Sequence, residues 1–263
     1  MAARAITMVV MLLTAIPAIG DTLWTGVSDL VITNVANWDN GLPSLANPGT
    51  ITNNETVTLG TITDWDLTLT NSAKVGNGGA TMSFLGGVLT MRGSSGIAGR
   101  TDRNMEFHDA CTLNIYDNAG IIPQKRDVVI DNASVVNHYS GEVHVRKLYL
   151  RTGSTYNFTS GLISVNERDA PTDNSEFYIE DGTYLNFAAP AKEAIVVWDE
   201  IVNTYDLTSV ITSLITDGKI RLDGEIVTPN RFIITTVPRE GDALNSNIEL
   251  RFAPPAGTVV MMK

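Results

Sequence analysis

Arg100, Asp102, Arg103, His108 and Asp109 form the densest group of chemically capable side chains in this sequence. A polysaccharide lyase needs a base that abstracts a proton, with carboxylates or calcium to neutralise a uronate, and this group holds such residue types. A glycoside hydrolase would instead need two carboxylates flanking a cleft. Many pairs can be drawn in this acidic chain, and no spacing singles one out. The five residues fall in a polar insertion, Gly99 to Asp109, and charged clusters in such insertions are commonly solvated loops. His108, His138 and His144 are dispersed along the chain. Metal ligation by His138 and His144 would require them to meet in space, and ordinary surface histidines are the simpler expectation. Asp64 and Asp66 around Trp65, or Asp169 with Asp173, could bind calcium loosely, although neither pair has the regular spacing of a ligand loop. No glycine-rich phosphate loop, nucleophile elbow or zinc-binding helix motif occurs, so no cofactor is implied. Tyr116, Tyr139, Tyr149 and Tyr156 are the aromatic candidates for a carbohydrate surface.

The segments that must position these side chains repeat a phrase: an alternating apolar strand, a small polar turn, then another short strand. It occurs at Leu67 to Val75, Leu89 to Ile97, Leu113 to Ile121, Val128 to Val136, Leu148 to Tyr156 and Phe177 to Leu185. The inward apolar residues Leu69, Met91, Ile115, Ile130, Leu150 and Ile179 mark irregular steps, acceptable for coils of variable length. A second phrase, Ser140 to Val145 and Ser160 to Val165, recurs after one coil. Repeats of this size, built from strands and turns, predict a solenoid. The expected fold is an all-β, right-handed parallel β-helix, in which inward residues at period two stack from coil to coil. An antiparallel β-sandwich or jelly roll also has short strands with regular turns. The Asp181-Gly182 pair is the nearest hairpin signal for that alternative. The expected organisation is a signal peptide over 1–20, an N-terminal cap over 21–49, coils over 50–187 and a C-terminal cap over 188–263. Trp24 and Trp38 are expected to plug the open first coil, a sugar-stacking role being the alternative. In the C-terminal cap, Asp206 to Gly218 reads as a helix with Leu207, Val210, Ile211, Leu214 and Ile215 on one face and Gly218 as its stop.

Composition bounds what the protein can meet. Arg4 followed by the apolar run Ile6 to Ile19 and the small residues Ala18 to Gly20 has the layout of a secretory signal peptide, with cleavage expected before Asp21. The run is shorter than the ~20 residues that span a bilayer. No later segment resembles a membrane span, so the expected location is extracellular or at the cell surface. The formal net charge is −11, and without Arg4 the balance is 17 Lys and Arg against 29 Asp and Glu. Such a surface repels nucleic acid and anionic lipid. Cys111 is the sole cysteine; it cannot form an internal disulfide, and its strand context predicts a small buried side chain.

Trp24 to Gly26, followed by Asn37 to Pro43, resembles the opening module of large secreted β-helix proteins from Planctomycetes and related environmental bacteria, similar to autotransporter passenger domains. Ile211 to Ile220 is similar to a closing segment of the same proteins, and Leu222 to Val227 matches its continuation in part. The resemblance implies a fold and an exported or cell-surface location, without a chemistry. The expected role is therefore a structural or adhesive β-solenoid, self-assembling into a homo-oligomer or filament. The alternative is a carbohydrate-active module that binds or cleaves an extracellular polysaccharide.

Overall fold

In a computed structural model the described residues are 20–52, 56–76, 81–98, 104–121, 127–165, 176–188, 194–200, 207–239 and 242–253. The chain winds as a parallel β-solenoid with three faces, each coil giving one short strand to each. Among the described residues the first face has nine strands, from Thr22–Leu23 to Ile220–Leu222. The third has six, from Thr61–Thr63 to Glu176–Ile179. The second begins at Thr56–Thr58 and proceeds in parallel to Ala194–Glu200. It closes with two antiparallel strands, Asp242–Phe252 and Phe232–Arg239.

The recurring phrase is the corner of a coil. Residues such as Asp109 and Ala110, Asn132 and Ala133, or Thr152 and Gly153 all have positive φ. In each corner the amide of the fourth residue donates to the carbonyl of the first, as in Cys111 to His108, Ser134 to Asp131 and Ser154 to Arg151. Two successive left-handed residues suit Asn, Asp and Gly, which adopt that region at least cost. This explains why the corners look alike in sequence. The Asp181-Gly182 pair serves such a corner between parallel strands, with Gly182 at φ 83, and forms no hairpin.

Inside, rows of apolar side chains run along the axis. Leu67, Leu89, Leu113, Val136, Tyr156 and Leu185 form one row of the first face. Leu69, Met91, Ile115, His138, Phe158 and Phe187 form the other. Phe84, Phe107, Ile130, Leu150 and Ile179 line the third face. These residues are almost completely buried. The marker series expected from sequence therefore crosses faces: Leu69, Met91 and Ile115 belong to the first, but Ile130, Leu150 and Ile179 to the third. Period-two alternation is the same on every face, so the phrase carries no face label. Followed along one outward row, successive coils are 24, 23, 20 and 29 residues apart.

Both ends are covered. Trp24 and Trp38 are buried and pack edge-to-face at 5.3 Å, and Trp38 meets Trp65 at 6.2 Å, so the tryptophans do plug the first coil. The Trp38 indole N–H donates to the Ile32 carbonyl at 2.8 Å. At the other end the helix Leu207–Thr216 buries Ile211 and Ile215, and Gly218 at φ 71 follows its last turn. Parallel pairing continues past residue 187, since Ala194–Glu200 and Ile220–Leu222 extend the second and first faces. Residues 254–263, including the apolar tail, lie outside the described residues. No helix of the described residues is long and apolar enough to cross a membrane.

Coils approach closely at the start of the second face, where Gly96, Gly120 and Glu142 lie in register. A Cβ on Gly120 would collide with the Glu142 carbonyl oxygen, whereas one on Gly60 would meet nothing. Gly120→Ala is expected to destabilise the fold by about 2–3 kcal/mol, because neither backbone can yield without shifting a rung. Gly60→Ala should stay within about 0.5 kcal/mol of wild type. Chemical denaturation of the two variants compares them directly.

Candidate functional site

The candidate residues separate onto three surfaces and the core. His108 lies at the end of the third-face strand Met105–His108. Its Nε2 is 3.3 Å from Glu106 Oε2 and its Nδ1 is 3.7 Å from Asp131 Oδ2, so an imidazole stands between two carboxylates on an outward face. Asp109 occupies the left-handed corner next door and accepts from Asn132 Nδ2 at 3.1 Å. Its carboxylate braces the neighbouring coil. Arg100, Asp102 and Arg103 lie outside the described residues, as do Asp169 and Asp173. Among the described residues no three His, Cys, Asp or Glu side chains gather as a metal-holding group. Burial, with Asp21 nearby as the second cause, raises the Asp66 pKa above its ordinary value.

His138 and Tyr156 are corrections to the expectations from sequence. Both side chains point into the core and are almost fully buried. His138 Nδ1 lies 2.9 Å from the Tyr156 hydroxyl, and Nε2 lies 3.2 Å from the Gly141 carbonyl. Because a carbonyl can only accept, Nε2 carries the proton, and Nδ1 accepts from the Tyr156 O–H. The His138 ring also lies 4.9 Å from Phe158. Burial pushes the His138 pKa down to about 4 and the Tyr156 phenol upward. Tyr156 is thus no sugar platform, and His138 is no ligand beside His144. His144 instead lies outward with Nε2 2.9 Å from Glu142 Oε2. Cys111 is buried, as its context predicts, and burial raises its thiol pKa to about 12.

Tyr116 and Tyr139 do meet, at one margin of the first face, with ring centroids 4.5 Å apart and planes 10° from parallel. Arg92 from the preceding coil lies 4.0 Å over the Tyr116 ring. Tyr116 is therefore sandwiched between a guanidinium and a phenol, and its faces are closed to a sugar. Such a stack strengthens coil-on-coil packing. Tyr149 lies on the third face, with the Arg151 guanidinium 4.6 Å over its ring and Tyr178 at 6.3 Å. Tyr178 stands on the last described strand of that face and is 43% exposed. It borders an open hollow of about 460 Å³ with Thr152, Glu180 and Asp181. Glu180 accepts from the Thr152 amide at 2.6 Å, and Lys219 holds the Asp181 carboxyl below its ordinary range.

A further row was missed in the sequence. Asn114, Asn137, Asn157 and Asn186 lie outward on the first face, and each side-chain amide donates to the previous oxygen at 3.0 Å. Asn114 completes the row at Thr90 Oγ1, 3.4 Å away, and the Gly224 amide donates to Asn186 Oδ1 at the other end. Each asparagine is the middle residue between two inward positions, as in Leu113 and Ile115 or Leu185 and Phe187. Aligning the phrases on that triplet would reveal it.

Comparison with protein-family models, with curated proteins and with solved structures finds no match. The class defined by the fold is an all-β parallel solenoid.

The buried His138–Tyr156 pair gives a pH dependence. A group whose folded pKa is depressed contributes its full stability above the unfolded value near 6.5, and loses it as pH falls towards about 4. The loss amounts to about 3 kcal/mol across that window. In the double variant His138→Phe with Tyr156→Phe, both polar atoms leave together, and the difference from wild type should shrink to nothing of this slope. Urea titrations of both proteins between pH 7 and 4 measure it.

Proposed function

We propose that this chain is an exported, extracellular or cell-surface solenoid with a structural or adhesive role. The supporting observation is the in-register outward ladder, in which the asparagine amides and the Arg92–Tyr116–Tyr139 stack bind coil to coil. Side chains engaged in this way stiffen a rod along its axis. The resemblance of Trp24 to Gly26 and Asn37 to Pro43 to exported β-helix proteins, and the signal-like segment Met1 to Gly20, agree with that role. Expression with the native N-terminus, followed by N-terminal sequencing, tests export. Protein recovered outside the cell and starting at Asp21 is the expected result. Chain retained in the cytoplasm with Met1 intact overturns the reading.

A second reading, binding of an extracellular polysaccharide, is favoured by Tyr178. Its ring is 43% exposed and borders the hollow with Glu180 and Asp181. A stacked sugar ring contributes about 1 kcal/mol, so Tyr178→Ala should weaken binding of a responsive polysaccharide by about fivefold to tenfold. Tyr116→Ala should leave that binding unchanged. Affinity electrophoresis against a panel of neutral and acidic polysaccharides separates the two outcomes.

A further inference from the structure

The hollow beside Tyr178 lies where the third face turns towards the first. The strand Glu176–Ile179 ends there, and Glu180 to Thr183 form the corner, with Gly182 at φ 83. The corner backbone is held from two sides. The Glu180 amide donates to the Leu150 carbonyl at 2.9 Å, and the Thr183 hydroxyl donates to the Glu180 carbonyl at 2.7 Å. The Glu180 side chain is held as well: its Oε2 accepts from the Thr152 amide at 2.6 Å and lies 3.4 Å from the Thr152 hydroxyl. Neither contact occupies Oε1, so the carboxylate borders the hollow as a positioned acceptor.

Tyr178 stands beside it. Tyr149 is its in-register partner one coil earlier, 6.3 Å away with the rings tilted by 55°, and the Arg151 guanidinium lies 4.6 Å over Tyr149. Tyr149 thus supports the next ring, and Tyr178 is the ring that borders the hollow. The volume of about 460 Å³ falls in the range of roughly 300–1,000 Å³ typical of small-ligand sites. An aromatic ring next to a fixed acceptor suits a sugar unit, with its C–H groups against the ring and its hydroxyls towards the carboxylate.

Charge narrows the class. Asp181 lies 2.8 Å from Lys219, and that pair cancels. Glu180 is the other anion of the lining, and Arg151 on the preceding coil supplies a second cation. These two carboxylates and two cations balance. A uronate, a sulfate or an amino group entering the hollow would lose hydration without meeting a net opposite charge. A hydroxyl-rich ring loses less and gains hydrogen bonds to an ionised acceptor.

We propose that the hollow takes an uncharged sugar unit of a neutral polysaccharide, stacked on Tyr178 and hydrogen-bonded to Glu180. The inference rests on the polysaccharide reading above and names the class of polymer.

The test is affinity electrophoresis of the whole chain in neutral glucan, mannan and galactan, each also as its carboxymethyl and aminoethyl derivative. Charge then changes while the polymer backbone stays the same. The neutral form of a responsive polymer should bind at least about threefold tighter than either derivative. Glu180→Gln keeps an acceptor for the Thr152 amide but leaves the cations in excess, so the carboxymethyl form should become the preferred one. Lys219→Gln leaves the anions in excess, and preference should move to the aminoethyl form. A merely structural role for either residue would shift all three affinities together and would not invert their order, and unchanged melting curves report intact folds. Preferences that ignore both substitutions overturn the proposal. So do charged derivatives that bind as tightly as the neutral form while Tyr178→Ala weakens both, an outcome that keeps the polysaccharide reading. Polymers that all fail to bind, or that bind Tyr178→Ala equally well, remove that reading itself.

Discussion

Every other feature of this protein depends on parallel, in-register pairing between successive coils. A single coil has three short strands whose backbone groups point along the axis and find partners only in the coils above and below. Its apolar face is likewise covered only by its neighbours. Stability therefore accumulates by stacking, and the two end coils need caps. The tryptophan cluster at one end, and the helix with its antiparallel hairpin at the other, answer that need.

In-register stacking also decides what side chains do. Identical positions in adjacent coils lie one above another, so like residues form rows: aliphatic and aromatic rows inside, an asparagine row outside. The same geometry that lets Tyr116 and Tyr139 stack closes Tyr116 to a ligand. Tyr178, on the last described strand of its face, is 43% exposed. Position along the axis, more than residue type, separates a structural aromatic from one able to bind.

Among the buried polar side chains, His138 and Tyr156 form a pair within the apolar rows of the core. His138 stands in a row with Ile115 and Phe158, and its two ring nitrogens are satisfied by Tyr156 and Gly141. A buried polar group is tolerable when its hydrogen bonds are complete. Burial makes this pair sensitive to acid, because protonation would place a charge in the apolar interior.

The sequence by itself determined a strand-and-turn repeat and favoured a parallel solenoid over an antiparallel sandwich. Period-two alternation names strands, paired left-handed corners favour Asn, Asp and Gly, and Trp24 and Trp38 beside early turns point to a cap. It also placed Cys111 inside, and located the helix to within a residue or two. Only the tertiary structure decided which face each phrase belongs to, because all three faces share the same alternation. From that assignment follow the burial of Tyr156 and His138, the pairing of Tyr116 with Tyr139, and the separation of Tyr149 onto another face. The asparagine row was latent in the sequence, yet it became a ladder only when coils of 20 to 29 residues were brought into register. Coil length is set by insertions at the corners, which local patterning does not constrain, whereas register is set by hydrogen bonds between residues far apart in the chain.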